Sequence, residues 1–323
     1  MFVAGLALLV VGAELVVRGA SKLALSLGVK PLVLGITVVA IGTSAPELAI
    51  GITAAMQGST DLAVANIAGV NILNLLFILG LSAAIIPITI HSQILKLELP
   101  FIVLSALAMI TLSWNGVLSA FDGALLVLGA IIYTVILIRL SRREPKIVVD
   151  EYEDMYGEEP DVDQDNQGEA PKRIMNSVIL LAGLGLTVFG ANLFVEGAVG
   201  MARGLGISET VIGLTIVAMG TGTPELATTV IATIKGDRDV AVGNLVGSSI
   251  YNVLLILGIT AMAAPGGIAV GRDVLLIDIS LMALVALICI PVFVSGKQVT
   301  RLEGILFVSG YLVYVLSIVL LRA

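Results

Sequence analysis

Long apolar runs, interrupted by glycine, proline or short charged stretches, follow one another along almost the whole chain of 323 residues. A helix that crosses a bilayer needs about 20 mainly apolar residues. On this criterion the pattern predicts ten spans, at roughly 2–24, 32–56, 61–86, 98–114, 118–140, 175–198, 209–234, 239–264, 274–296 and 303–321. The predicted fold class is therefore an all-α membrane protein with ten transmembrane helices.

The second half of the chain repeats the first. Residues 35–80 and 213–258 align without a gap at an offset of 178, and half of the 46 aligned positions are identical. Each half carries five spans, and five is an odd number, so the second half must enter the membrane upside down relative to the first. The sequence thus predicts two inverted five-helix repeats, 1–140 and 174–323, joined by a connection at 141–173.

The positive charges predict the orientation. When alternate loops are assigned to alternate sides of the membrane, 14 of the 17 Lys and Arg residues fall on one side, which the positive-inside rule identifies as cytoplasmic. Both termini are then outside and the 141–173 connection is cytoplasmic. Ten of the 24 acidic residues lie between positions 150 and 169, in a stretch without apolar periodicity, so we expect a disordered linker there.

Composition supports the membrane class. The chain is 58% hydrophobic and 13% charged, with a mean hydropathy of +1.09, which indicates that the lipid bilayer is its main surroundings. Without the acidic linker the net charge of −7 becomes slightly positive and offers no basic field for nucleic acid. The single cysteine, Cys289, excludes an internal disulfide and a thiolate metal cluster.

Each repeat contains the string Ala-x-Gly-Thr-x-x-Pro-Glu in one span and Asn-x-x-Gly-x-x-x-x-Asn in the next. The strings place Glu47 and Glu225 inside apolar runs, where an ionisable group is costly unless it faces a partner, a cavity or an ion path. Pro46 and Pro224 each lack an N–H, so we expect the helix to open near Thr43 and Thr221. The carbonyls from Ala40 and from Ala218 onward should then lack partners within the helix.

Oxygen atoms dominate this predicted site. Besides the two carboxylates and the free carbonyls, it contains hydroxyls and amides from Thr43, Ser44, Thr221, Ser248, Asn74 and Asn252. Such a set suits hard cations such as Ca²⁺ or Na⁺. The alternative is that the prolines only kink the helices and that the glutamates are protonated and hydrogen-bonded to neighbours. Two copies with Gly, Thr, Pro, Glu and Asn in the same order favour the site.

Other charges have simpler interpretations. Glu14 and Arg18 are spaced to pair along one helix. Glu98 and Asp278 stand at the predicted starts of the fourth and ninth spans, where we expect them to cap the helices.

The repeated strings resemble a known family. GTSAPEL and GTGTPEL, followed by NIAGVNILN and NLVGSSIYN, are similar to the two α-repeats of the cation/Ca²⁺ exchanger superfamily, in its prokaryotic sodium/calcium exchanger branch, and the resemblance covers essentially the whole chain. It implies ten helices in two inverted halves. The second, third, seventh and eighth would surround the ions, while the first and sixth would slide past them to alternate access.

The resemblance also implies a role for each site residue. Ca²⁺ would be held by Glu47, Glu225 and the carbonyls of Thr43 and Thr221, with Asn74 and Asn252 lining the middle. An outer Na⁺ site would comprise Glu47, Ser44, the Ala218 carbonyl, Thr221 and Ser248. An inner Na⁺ site would comprise Glu225, the Ala40 carbonyl, Thr43 and positions 70 and 222.

The chain departs from the family pattern at the inner site. Positions 70 and 222 usually carry Ser but are Val70 and Gly222 here, and position 252 is Asn252 where some members have Asp. The two remaining carboxylates balance one Ca²⁺, two Na⁺ or two protons. We therefore expect fewer Na⁺ per Ca²⁺ than in members with both serines, or a proton in place of one Na⁺. Gly222 is expected to leave room for a water molecule.

The sequence thus favours an antiporter that exchanges Ca²⁺ for Na⁺, with no cofactor and no chemical reaction. Exchange of Ca²⁺ or another divalent cation against protons is the nearest alternative, because Val70 and Gly222 lack hydroxyls. A channel would need no counter-ion. An intramembrane enzyme is less favoured, since no nucleophile–base pair or metal triad accompanies the carboxylates.

Overall fold

The computed structural model describes residues 1–58, 60–141, 169–206 and 218–322. Almost all of them are helical, because the backbone N–H and C=O groups of a long apolar run in lipid must be hydrogen-bonded to each other, and a helix does this within one segment. Eleven helices are labelled here: α1 Phe2–Ser26, α2 Pro31–Thr43, α3 Ala45–Met56, α4 60–85, α5 Ile94–Leu112, α6 Ala120–Ser141, α7 Glu169–Gly204, α8 Thr223–Ile234, α9 Arg238–Ala263, α10 Val274–Val294 and α11 Arg301–Arg322. A short helical turn, Ala218–Gly220, precedes α8.

Eight of these helices are long and apolar enough to cross a membrane, and α2 with α3 would form a ninth, broken span. These nine agree with nine of the predicted spans to within a few residues, except that α7, Glu169–Gly204, extends six residues beyond the predicted span 175–198 at each end. The other predicted span, 209–234, lies partly outside the described residues, and so do most of the predicted linker and the start of the second repeated segment. The part of this span that is described contains α8.

Two short antiparallel strand pairs close the ends of the helical body. The strands are β1 Ile88–Thr89, β2 Val117–Leu118, β3 Ile268–Ala269 and β4 Gln298–Val299. β1 pairs with β4, and β2 pairs with β3. Each pair joins a loop of the first half of the chain to a loop of the second half.

The helices α4 and α9 form the centre of the molecule. Their most apolar windows are 72% and 83% buried, whereas the other spanning helices are buried over 17% to 44% of theirs. The buried apolar core is built around these two helices, with α2, α5, α6 and α10 packed against them. The outer helices α1 and α7 pack on each other along most of their length.

Several helices contain a π-helical segment. These are Gly35–Val39 in α2, Leu73–Ile78 in α4, Ile94–Glu98 in α5, Asn252–Leu257 in α9 and Val274–Ile279 in α10. A π turn adds a residue to the helical ladder and often accompanies a functional site. The segments in α4 and α9 contain Asn74 and Asn252, so these amides lie at local distortions of the two central helices.

The predicted capping roles of Glu98 and Asp278 are wrong. The α5 helix starts at Ile94, before its predicted start, and α10 starts at Val274, four residues before Asp278, so both acids lie buried within π-helical segments. Glu98 Oε1 accepts a hydrogen bond from Gln93 Nε2 at 3.0 Å, and Asp278 Oδ1 accepts one from the Tyr314 hydroxyl at 3.3 Å. The Glu14–Arg18 pair is present at 2.5 Å, and Glu14 also contacts Lys235 Nζ at 2.7 Å.

Candidate functional site

Two helix breaks lie at equivalent places in the repeats. The first is at Ser44, between α2 and α3, and the two helices are bent by 40° there. The second lies at Thr221 and Gly222, just before α8. Pro46 and Pro224 occupy the first turns after the breaks, where the backbone N–H that proline lacks would have no acceptor within the helix. The breaks therefore fall within a residue or two of the positions that the prolines predict.

One detail of the predicted break is wrong. The Ala40 carbonyl keeps a partner in the helix, because Ser44 N donates to it at 3.1 Å. It also accepts from Thr43 Oγ1 at 3.2 Å and from Ser248 Oγ at 3.4 Å. Pro46 removes the N–H four residues after Gly42, so the missing donor affects the Gly42 carbonyl instead.

The two carboxylates meet in the interior. Glu47 and Glu225 stand in the first turns of α3 and α8, and neither is exposed to solvent. Ser44, three residues before Glu47, donates to Glu225, which brings the two carboxylates into the same region. Each lies at the positive end of a helix dipole, which favours a negative charge by only about 0.3–1 kcal/mol. No ion pair found in the described part of the chain involves either carboxylate.

The carboxylates differ in their hydrogen bonds. Glu225 Oε1 accepts from Ser44 Oγ at 3.1 Å, whereas Oε2 has no partner among the described residues. For Glu47, neither oxygen has a hydrogen-bond partner there. The residue equivalent to Ser44 in the second copy is Gly222, which has no hydroxyl to donate to Glu47. The hydroxyls of Thr43 and Thr221 lie near Glu225 and Glu47 in both copies, whereas the serine donor comes from one copy only.

Most of the predicted site residues are buried, and Ser44 contacts Glu225 directly. Thr43, Ser44, Ser248, Asn74 and Asn252 are fully buried, and Thr221 is nearly so. Asn74 has no hydrogen-bond partner for either side-chain atom in the described chain, while Asn252 Nδ2 donates to Asn71 Oδ1 at 3.1 Å and Asn252 Oδ1 has no such partner. Ala218 lies in the helical turn before Thr221.

Several polar residues at the site escaped the sequence analysis. Thr43 Oγ1 lies 3.1 Å from Asn244 Oδ1, and Asn244 Nδ2 donates to Thr229 Oγ1 at 3.1 Å. Thr221 Oγ1 lies 3.4 Å from Asn66 Oδ1. The asparagines were detectable, since both belong to the repeated Asn-x-x-Gly-x-x-x-x-Asn string. Thr229 was not, because its equivalent in the first copy is Gly51.

The part of the site around positions 70 and 222 is apolar. Val70 is 1% exposed and Leu73 is 3% exposed. A Cβ built on Gly222 would lie 2.3 Å from Leu73 Cδ2, so the expected space for a water molecule beside Gly222 is occupied by Leu73.

No group of three or more His, Cys, Asp or Glu side chains able to hold a metal occurs in the described ranges. A cation at this site would therefore be bound by two carboxylates and by neutral carbonyl, hydroxyl and amide oxygens. Such ligands fit Ca²⁺, which takes six to eight oxygens in flexible geometry.

Known proteins share this architecture. The family model described as sodium/calcium exchanger protein matches residues 1–139 and 175–320. The chain is 35% identical to CaxA of Alkalimonas amylolytica, over 96% of this chain and 95% of that protein. It is 34% identical to the inner membrane protein YrbG of Escherichia coli (strain K12), over 97% and 94%. Its fold is similar to that of the sodium-calcium exchanger NCX_Mj, with a TM-score of 0.81 and 28% identity over 98% of this chain and 97% of that chain.

Proposed function

Because the chain belongs to the sodium/calcium exchanger family, in the prokaryotic branch of the cation/Ca²⁺ exchanger superfamily, it is a multi-pass membrane protein and a cation/Ca²⁺ antiporter, and we propose that its counter-ion is Na⁺. Ca²⁺ and Na⁺ bind in turn at the site between Glu47 and Glu225. Since both ions need the same two carboxylates, they exclude each other, and this exclusion couples their movements.

The observation that carries the proposal is the pair of buried carboxylates without a cation partner. A buried charge costs several kcal/mol unless it is compensated, and two like charges close together cost more. The described residues offer this pair only neutral hydroxyls: Ser44 donates to Glu225, and the hydroxyls of Thr43 and Thr221 lie near Glu225 and Glu47. Bound cations supply the missing compensation, and either one Ca²⁺ or two Na⁺ neutralise the formal charge of −2.

The ligands follow from their positions. We assign Ca²⁺ to Glu47, Glu225 and the carbonyls of Thr43 and Thr221, with Asn74 and Asn252 beside it. The family resemblance implies an outer Na⁺ site of Glu47, Ser44, the Ala218 carbonyl, Thr221 and Ser248. The hydroxyls of Ser44 and Ser248 contact Glu225 and the Ala40 carbonyl instead, so we assign Na⁺ to the position beside these four groups. NCX_Mj structures obtained after soaking with Na⁺ together with Ca²⁺ or Sr²⁺ support these ions as substrates.

The proposed architecture is ten helices in two inverted repeats, 1–140 and 174–323, around the 141–173 linker. The strand pairs support it: exchanging the halves turns β1 into β3 and β4 into β2, so one pair becomes the other. Two close helix contacts behave in the same way. A Cβ on Gly80 would lie 2.8 Å from the Gly304 carbonyl, and a Cβ on Gly258 would lie 2.9 Å from that of Gly123.

Alternating access needs an interface that moves easily, and we infer that it lies between α1 and α7. Glycines spaced seven residues apart on each helix touch the backbone of the other, with Gly12 against Thr187 and Gly190 against Leu9. Small residues let helices approach closely without interlocking side chains. A cavity of about 400 Å³ between Gly42 and the middle of α7 leaves space beside the first break.

We place both termini outside the cell membrane and the linker in the cytoplasm, because 14 of the 17 basic residues then face inward. In this orientation the first half of α4 lies on the outer side. Its Asn66 and Gly69 are partly exposed, whereas the equivalent Asn244 and Gly247 in α9 are buried. The described conformation thus gives easier access from outside.

The test is ⁴⁵Ca²⁺ uptake into proteoliposomes with Na⁺, K⁺ or H⁺ gradients imposed one at a time. We expect uptake to follow the Na⁺ gradient. Uptake that follows only the H⁺ gradient would instead support the proton-coupled alternative, which the apolar Val70 and Leu73 favour.

Glu47→Gln and Glu225→Gln should each abolish Ca²⁺ transport while the protein remains folded. The change keeps the shape of the side chain but removes one of two charges that a hard cation needs. Glu303→Gln, in the first turn of α11 and remote from the site, is the matched control and should transport Ca²⁺ normally. Near-normal Ca²⁺ affinity in both site variants would refute the proposed site.

A further inference from the structure

We propose that the exchange site is one-sided. One cation can bind beside Ser44 and Ser248, but the equivalent place in the other repeat is filled by the Leu73 side chain. The exchanger therefore takes two monovalent cations per Ca²⁺ and moves no net charge in a cycle. This inference rests on the proposed function and deepens it, since it names the residue that limits the number of counter-ions.

The backbone does not require glycine at position 222. Gly222 has φ −78° and ψ 4°, and the equivalent Ser44 has φ −81° and ψ 11°. Ser44 shows that a residue with a side chain adopts this conformation. The glycine is therefore explained by space rather than by conformational freedom.

The neighbour that needs this space is Leu73. A Cβ on Gly222 would lie 2.3 Å from Leu73 Cδ2, while the next atoms beyond its chain neighbours, Leu73 Cγ and the Met219 carbonyl oxygen, lie at 3.7 and 3.9 Å. A single methyl group of Leu73 thus occupies the volume that a serine side chain would need. Gly222 and Leu73 fit each other as a matched pair across the contact between α4 and the second break.

Val70 extends the apolar surface. It precedes Leu73 by three residues on α4, so the two side chains share a face of the helix, and both are buried. Its equivalent is Ser248, whose hydroxyl lies 3.4 Å from the Ala40 carbonyl. One half of the site thus presents the hydroxyls of Ser44 and Ser248. The other has Gly222 and Val70 at the equivalent positions, with the Leu73 side chain packed against Gly222.

The hydrogen bonds of the carboxylates show the same asymmetry. The hydroxyls of the equivalent Thr43 and Thr221 lie near Glu225 and Glu47, but only Glu225 has an additional serine donor, Ser44, because Gly222 stands at the equivalent position beside Glu47. A cation that entered the Leu73 position would lose its water without receiving oxygen ligands in return, which is unfavourable. Monovalent cations are therefore confined to the remaining positions.

The charge of the site then sets the count. Glu47 and Glu225 are its only carboxylates, since Asn74 and Asn252 carry neutral amides. Two monovalent cations balance them as one Ca²⁺ does. The site with one Ca²⁺ and the site with two monovalent cations have the same charge, so a complete cycle carries no net charge across the membrane.

The first experiment measures charge movement. Purified protein is reconstituted into liposomes, a K⁺ gradient with valinomycin sets the membrane potential, and an outward Na⁺ gradient drives ⁴⁵Ca²⁺ uptake. We expect the equilibrium accumulation of ⁴⁵Ca²⁺ to change less than about twofold between 0 and about −100 mV. One net charge per cycle would change it by about fiftyfold. A change of tenfold or more would overturn the inference while leaving Na⁺/Ca²⁺ exchange in place, whereas uptake with no dependence on any monovalent cation would overturn the proposed function as well.

The second experiment tests the matched pair by a double-mutant cycle. Gly222→Ser should lower Na⁺-driven uptake about twofold or more, because the end of the Leu73 side chain must shift to admit the new Cβ, and Leu73→Ala in the same chain should restore most of it. Leu76→Ala, the same change three residues further along α4, should not rescue Gly222→Ser. Full activity of Gly222→Ser with Leu73 in place, or equal rescue by Leu76→Ala, would show that Leu73 does not close this position. Monodispersity in detergent is checked for every variant.

Discussion

Asn244 and Asn66 occupy equivalent positions in the two repeats, but among the described residues only Asn244 has a partner for its side-chain NH₂ group. Asn244 Nδ2 donates to Thr229 Oγ1 at 3.1 Å and lies 3.4 Å from the Glu225 carbonyl. Asn66 Nδ2 is buried and has no partner in the described chain, because Gly51 stands where Thr229 stands in the other copy. Single residues therefore make the two halves of the site chemically different.

Thr229→Val should destabilise the protein by about 1 kcal/mol, because the isosteric valine leaves an NH of Asn244 without its closest acceptor. The loss should appear as a lower midpoint of thermal unfolding in detergent. Thr53→Val, on the exposed face of α3, is the matched control and should leave the midpoint unchanged. Equal midpoints for the two variants would mean that the Asn244–Thr229 bond does not contribute to stability.

The helix breaks are the feature that matters at the scale of elements. A continuous helix from Pro31 to Met56 would use the backbone groups around Thr43 in its own hydrogen bonds and would present Glu47 on a different face. The break at Ser44 and the bend of 40° redirect α3 so that its first turn reaches the centre. The π-helical segments in α4 and α9 act at the same level, since they set the positions of Asn74 and Asn252.

Pro46→Ala should weaken Ca²⁺ binding on the order of tenfold, or about 1.4 kcal/mol. The alanine supplies the N–H that the Gly42 carbonyl lacks, which favours a continuous helix over the break. Calcium titration of the purified protein measures the effect. Pro291→Ala, in the interior of α10 and away from the breaks, controls for the loss of a helix proline. Unchanged affinity in Pro46→Ala would show that the break does not depend on this proline.

At the scale of the whole molecule, the proposed two-fold relation between the halves makes a sharp prediction about topology. Leu27 and Leu205 are equivalent residues, 178 positions apart, and both are exposed, at 48% and 81%. An inverted repeat puts them on opposite sides of the membrane. A parallel repeat would put them on the same side.

An impermeant thiol reagent added to intact cells should label Leu205→Cys but not Leu27→Cys. The native Cys289 is fully buried, so the signal reports the introduced cysteine. Labelling of Leu27→Cys should appear once the membrane is permeabilised. Labelling of both cysteines from outside would refute the inverted arrangement, and labelling of Leu27→Cys alone would reverse the proposed orientation.

The sequence by itself determined the elements and the chemistry of the site. The bilayer forces each span to be a long apolar helix, so nine predicted spans agree with the described helices. A proline acts on its own helix, so the places of the two breaks were readable. A carboxylate in an apolar run is conspicuous wherever the chain folds. The repeat showed which positions are equivalent.

Only the tertiary structure decided how the equivalent positions are filled. Leu73 packs against Gly222, Thr229 holds Asn244, and Ser248 reaches the Ala40 carbonyl, and two of these contacts join residues more than 140 positions apart. Gly222 alone indicated an open space, and the structure shows it occupied. Glu98 and Asp278 were mistaken for caps because the helices extend beyond the charges. Packing between two helices depends on the side chains of both, whereas the residue pattern along one helix gives only the side chains of that helix.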